Sequence, residues 1–122
     1  MTKPKILIVE DEANIRKLLS VNLAARGYDV IEAEDGRHGL DQLREASPAI
    51  LLLDIKLPDM SGWDLLEIIA ANPAYPQVPV IVITASLRTT GPETIRYKNL
   101  RKILSKPVSI QELTREVKQL LD

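Results

Sequence analysis

Five short apolar runs constrain this chain more than any other feature: Ile6–Val9, Tyr28–Ile31, Ile50–Leu53, Val80–Ile83 and Ile103–Leu104. The first, third and fourth are continuous rather than alternating with polar residues. That is the pattern of strands buried on both faces, as in a parallel sheet. Helical periodicity fills the intervals. Ile15, Leu18, Leu19 and Leu23 share one face of a helix ending at Gly27, a residue suited to a left-handed C-terminal turn. Leu40, Leu43 and Ala46 mark a second helix, opened by Asp35-Gly36, and Leu65, Leu66 and Ile69 mark a third, stopped before Pro73. Ile110, Leu113, Val117 and Leu120 mark the last, where Ser109 with Glu112 three residues on predicts a capping box. Strand and helix therefore alternate along the chain. Right-handed crossovers turn that order into a doubly wound α/β domain with a five-stranded parallel sheet.

Residues 86–100 fit this scheme least well. A fourth helix is expected there, but Gly91-Pro92 interrupts it. Pro92 suits a first helical position, with Thr90 or Gly91 as the cap, and leaves about two turns ending near Asn99. Ile95, with Tyr97 or Leu100, would anchor it. So short a helix depends on tertiary packing more than on propensity.

Composition removes several function classes. A chain of 122 residues, 45% apolar and 27% charged, closes one globular core, so a single domain spanning residues 1–122 is expected. With no Phe, the core must be aliphatic. The absence of Cys excludes disulfides, thiol catalysis and thiolate metal sites. A single histidine, His38, excludes poly-histidine zinc sites and leaves little room for a Ser–His triad. No apolar run approaches the roughly 18 residues of a membrane span, and the run after Lys5 is too short for a leader. A cytoplasmic location without membrane attachment is expected. A net charge of -1 gives no case for nucleic-acid binding by this chain. Bases do gather between Arg88 and Lys106, where a solvated face is the simpler reading and a partner-binding patch the alternative.

The residues at the end of each apolar run are more informative. The first run ends in Glu10-Asp11-Glu12, the third in Asp54, the fourth in Thr84 and the fifth in Ser105-Lys106. Parallel strands bring these residues to one carboxyl edge, where open α/β sheets place ligands. Carboxylates gathered there need a cation, and Mg2+ takes oxygen ligands including one or two carboxylates. A carboxylate can also attack a phosphoryl group, whose oxygens then call for metal, ammonium and hydroxyl donors. Asp54, Lys106 and Thr84 would supply the nucleophile and two donors, with Glu10 and Asp11 as the metal seat. Singly, each has a plainer reading: acids at a helix N-terminus, a loop cap, a strand-end threonine, a solvated lysine. Their joint placement at four strand ends favours the functional one.

These residues carry a family resemblance along essentially the whole chain. Ile6-Leu7-Ile8-Val9-Glu10-Asp11-Glu12, the stretch from Leu51 through Asp54 and Pro58 to Gly62, Val82-Ile83-Thr84-Ala85 and Leu104-Ser105-Lys106-Pro107 together resemble the receiver domains of two-component response regulators. The resemblance implies a flavodoxin-like (βα)5 fold with strand order 2-1-3-4-5. It implies that Asp54 accepts a phosphoryl group from a sensor histidine kinase or histidine phosphotransfer protein, a signalling role rather than an enzyme's turnover. Asp11 would bind Mg2+ directly, Glu10 through water, and the Lys56 backbone carbonyl would join Asp54 as a further ligand. Thr84 and Lys106 would contact the phosphoryl oxygens, the Lys106–Pro107 bond would be cis, and Pro58 and Gly62 would shape the loop leaving the acceptor strand. Lys56 and Ser86 occupy positions that tune dephosphorylation, the Lys56 cation either holding the phosphoryl group or displacing water.

The chain departs from the family pattern on its output side. Ile103 stands where Tyr or Phe is usual, Asn99-Leu100-Arg101-Lys102 replaces the usual Gly-Ala segment, and Gly91-Pro92 breaks the fourth helix. The readout would fall to a downstream protein partner or to an effector domain outside these residues. An alternative is a receiver-like interaction module with altered or phosphate-independent output, against which Asp54, Thr84 and Lys106 argue. A haloacid dehalogenase-like phosphohydrolase would need an acid two residues after the nucleophile, where this chain has Lys56. Flavin binding would need a phosphate cradle where the loop after the first strand is acidic.

Overall fold

A computed structural model describes residues 3–85 and 97–122. It contains β1 (Lys5–Val9), α1 (Ala13–Ala25), β2 (Asp29–Ala33), α2 (Gly36–Ala46), β3 (Ile50–Asp54), α3 (Gly62–Ala71), β4 (Val80–Thr84), β5 (Leu100–Ser105) and α4 (Ile110–Leu121). The expected fourth helix, with Gly91-Pro92 and Ile95, lies outside the described residues, as does Ser86. The sheet is parallel throughout, in the order β2-β1-β3-β4-β5.

Alternate residues of the central strands feed two cores. Leu7, Val9, Leu51, Leu53, Val80 and Val82 face α2 and α3, packing on Leu40, Leu43, Leu65, Leu66 and Ile69. Ile6, Ile8, Ile50, Leu52, Ile81 and Ile83 face α1 and α4, packing on Leu19, Leu23, Leu113 and Val117. Burial on both faces is why these three strands read as unbroken apolar runs. The edge strands β2 and β5 are only partly buried.

Local chemistry sets the helix ends. Gly27, at φ +92°, makes the left-handed turn after α1. Asp35 opens α2 by accepting from His38 N–H at 2.8 Å. At α3, Ser61 and Asp64 form a reciprocal capping box that the sequence pattern did not single out, with bonds of 3.1 and 3.2 Å. Of the box predicted at Ser109, one arm is made: Glu112 N–H donates to Ser109 Oγ at 3.2 Å.

β5 is longer than its two-residue apolar signal. Val80 pairs with Leu100 and Ile81 with Lys102, so Arg101 is an extra residue in a bulge. Asn99 secures the entry by donating from Nδ2 to Val78 O at 3.0 Å, while Val80 N–H donates to Asn99 O at 2.8 Å. Leu100 therefore belongs to a strand, not to a helix anchor. Tyr97 is the buried anchor: its ring stacks on Trp63 at 6.5 Å and its hydroxyl donates to Glu67 Oε2 at 2.7 Å. Among the described residues no helix is long and apolar enough to cross a membrane.

Candidate functional site

Register brings the polar strand ends together. Val9 aligns with Leu53, Asp54 with Ile83 and Thr84 with Ser105, so Glu10, Asp54, Thr84 and Lys106 emerge at one edge of the sheet. They border a cleft of about 600 Å³ lined by Asp11, Glu12, Asp54, Ile55, Lys56, Thr84, Ala85 and Lys106. Three polar residues are unusually buried there: Glu10 is 2% exposed, Asp54 4% and Thr84 4%. Asp11 and Glu12 are exposed at its rim.

Lys106 is the electrostatic hub. Its Nζ lies 2.9 Å from Asp54 Oδ2, 3.0 Å from Glu10 Oε1 and 3.6 Å from Glu12 Oε1. Burial alone would pull its ammonium toward neutrality, but the carboxylates of Asp54 and Glu10 outweigh it and raise its pKa above the ordinary lysine value. The backbone fixes its root. Lys106 N–H donates to Thr84 O at 2.9 Å, and the Lys106–Pro107 peptide is cis.

Glu10 shows that one ammonium does not offset the cost of burying a carboxylate here. Burial, aided by the charge of Asp54, pushes its carboxyl up to about 7, against the opposing pull of the Glu12 N–H and Lys106. Oxygens of Glu10, Asp11 and Glu12 can come within 4.8 Å of one another, the donor set that a hard divalent cation takes.

The loop after β3 is tightly folded. Lys56 N–H donates to Asp54 Oδ1 at 3.2 Å, Lys56 pairs with Ser61 in an antiparallel bridge, and Gly62 N–H donates to Ile55 O at 2.7 Å. A Cβ on Gly62 would lie 2.8 Å from Asp54 O and 2.9 Å from Ile55 Cα, so only glycine lets the chain return so close to the strand.

Glu10, Asp11, Asp54, Lys56, Thr84 and Lys106, the site residues expected from the sequence, meet at this edge. Two others were not given roles. Glu12 joins the Lys106 cluster. Arg16 donates from Nη1 to Glu10 O at 2.8 Å and from Nε to Glu32 Oε1 at 3.1 Å, bracing the acidic loop. Its only sequence signal is a base in the first turns of the helix that succeeds an acidic run.

Comparison with known proteins agrees with this fold. The family model for the response regulator receiver domain matches residues 6–118. The polar-differentiation response regulator DivK of Brucella ovis is 33% identical over 121 residues, covering 99% of this chain and 98% of that protein. The CheY-like receiver domain protein of Methanospirillum hungatei superposes with a TM-score of 0.87 at 31% identity, covering 99% of this chain and 95% of that one. The chemotaxis response regulator CheY4 of Vibrio cholerae gives a TM-score of 0.86 at 25% identity, covering 98% and 99%.

Proposed function

This chain belongs to the response regulator receiver domains of two-component signalling, and on that premise we propose that Asp54 is its phosphoacceptor. The observation that carries the proposal is the state of Asp54. It is a nearly buried carboxylate, 2.9 Å from a lysine ammonium, at the floor of a cleft rimmed by acids. An Asp54 carboxylate oxygen attacks phosphorus, and the donor's P–N bond breaks as its imidazole leaves. Lys106 then turns from carboxylate partner to phosphoryl partner, and the Thr84 hydroxyl lines the same space. Glu10, Asp11, Asp54 and the Lys56 carbonyl would hold Mg2+, which receiver domains generally bind at this acidic site and which neutralises phosphoryl charge when bound. The buried Glu10 supports that fit: burial, aided by the charge of Asp54, pushes its carboxyl up to about 7, and a divalent cation beside it would favour the charged form.

Receiver domains act with kinases or phosphotransfer proteins and with downstream partners; for this chain we assign the donor as a sensor histidine kinase or a histidine phosphotransfer protein. Residues 1–122 act as one receiver domain, in the cytoplasm. A phosphoryl group adds close to two negative charges and three acceptor oxygens, and its pull on Thr84 and Lys106 shifts the population of two states on the β5 side.

The test is phosphate uptake. Incubated with Mg2+ and acetyl phosphate, the chain should gain one acid-stable, base-labile phosphate by intact mass; EDTA or Asp54→Asn should abolish it. Uptake that survives either treatment would refute the assignment.

A further inference from the structure

The loop that leaves β3 has a tether on a different element. Asp59, exposed at the tip of that loop, accepts from Gly36 N–H at 2.8 Å through Oδ1 and from Arg37 N–H at 2.9 Å through Oδ2. These are the first two N–H groups of α2, which a helix leaves without internal partners. Asp35, the helix's own cap, takes the third, at His38. Two carboxylates thus divide one helix terminus without overlap, and the positive end of the helix dipole favours both. Burial would raise the Asp59 carboxyl, but the Gly36 and Arg37 N–H groups hold it below the usual carboxylate range. The approach is close: a Cβ on Gly36 would lie 2.5 Å from Met60 Cγ.

We propose that Asp59 is a positioning residue for phosphorylation at Asp54, clamping the loop to α2 so that the Lys56 carbonyl is held where the metal needs it. This rests on the reading that Asp54 takes phosphate with a divalent cation. Only Leu57 and Pro58 separate Lys56 from the clamp. Pro58 has a fixed φ, and the residue before a proline is confined to extended backbone, so the short span has little slack. At its other end Lys56 N–H is tied to Asp54 Oδ1 at 3.2 Å. A shift of Asp59 is therefore passed to the peptide that carries the Lys56 oxygen.

The test is Mg2+ binding by calorimetry on the full chain, without phosphate, in the wild type, Asp59→Ala, Asp59→Asn and Asp35→Ala. Asp59→Ala should weaken Mg2+ about tenfold, the low end of the roughly 10–100-fold seen for partners behind metal ligands. It should slow uptake from acetyl phosphate as well. Asp59→Asn, whose amide oxygen can still accept an N–H, should fall between. Asp35→Ala removes a comparable cap from the same helix but leaves the loop clamped, so its Mg2+ affinity should stay near the wild-type value. Equal weakening by Asp59→Ala and Asp35→Ala, or none by either, would overturn the positioning role while Asp54 chemistry stands. A wild-type chain that neither binds Mg2+ nor takes phosphate would overturn the underlying reading, and the clamp with it.

Discussion

The sheet has two walls that are built differently: the β1–β3 side, which carries most of the crevice, and the β5 side, whose strand enters at the opposite, amino edge of the sheet. On the β1–β3 side polar groups hold one another: Arg16 braces the Glu10 carbonyl, Lys56 N–H reaches Asp54, and Asp59 ties the loop to α2. On the β5 side the fixtures are an aromatic stack of Tyr97 on Trp63, an Asn99 side chain on Val78 O, and a bulge at Arg101. The first wall carries most of the residues on which the family resemblance rests; the second carries Ile103, where that resemblance leads one to expect Tyr or Phe. The difference has a physical basis. Phosphoryl chemistry fixes a few atoms to fractions of an ångström, whereas a surface that reports on them can be rebuilt wherever packing is preserved. Lys106 joins the walls, rooted on β5 and paired across to Asp54 and Glu10.

Removing that joint should have the largest effect. Lys106→Met leaves two nearly buried carboxylates without their ammonium. Stability at neutral pH should fall by about 2–3 kcal/mol, less than the roughly 3–5 kcal/mol for a fully buried pair because the cleft admits water. Urea titration checks this. Acid or Mg2+ should restore much of the loss, and a deficit indifferent to both would break the electrostatic account of the first wall.

A smaller effect isolates Glu10. Its folded-state pKa of about 7 exceeds the ordinary 4.5, so the native state binds the extra proton across that interval. Stability from this group is therefore lost as pH rises from about 4.5 to about 7, with a limiting slope of about 1.4 kcal/mol per pH unit. Glu10→Gln should flatten the curve in that window relative to the wild type, as urea midpoints measured across it would reveal. Parallel curves would mean that Glu10 is not under the strain assigned to it.

The mildest change sharpens the comparison from the other wall. Tyr97→Phe keeps the ring on Trp63 but deletes the bond to Glu67, and should cost about 1 kcal/mol of stability. Phosphate uptake should not change. A loss of uptake would show that the Tyr97–Glu67 contact is coupled to the chemistry after all.

Much of the crevice was legible in the sequence, and the reason is topological. Continuous runs such as Ile50–Leu53 fit strands buried on both faces, and parallel strands deliver their trailing residues to one edge. Asp54, Thr84 and Lys106 could therefore be placed together without knowing any distance. Asp59 could not, because its partners Gly36 and Arg37 lie on another helix and nothing local marks a carboxylate that caps from outside. The Ser61 box was obscured because Asp64 stands where Glu or Gln is the usual signal. On the second wall, Ile103–Leu104 is too short a run to show β5 starting at Leu100, since an edge strand with one bulged residue has no continuous apolar pattern.

Under the proposed assignment, Asp54 alone receives the phosphoryl group. Borohydride reduction of the phosphorylated chain converts an aspartyl phosphate to homoserine, and peptide mass spectrometry then locates it. Homoserine at position 54, formed only with Mg2+ present, is the predicted result. Homoserine at Asp11 or Asp59, or none despite a gained phosphate, would contradict it.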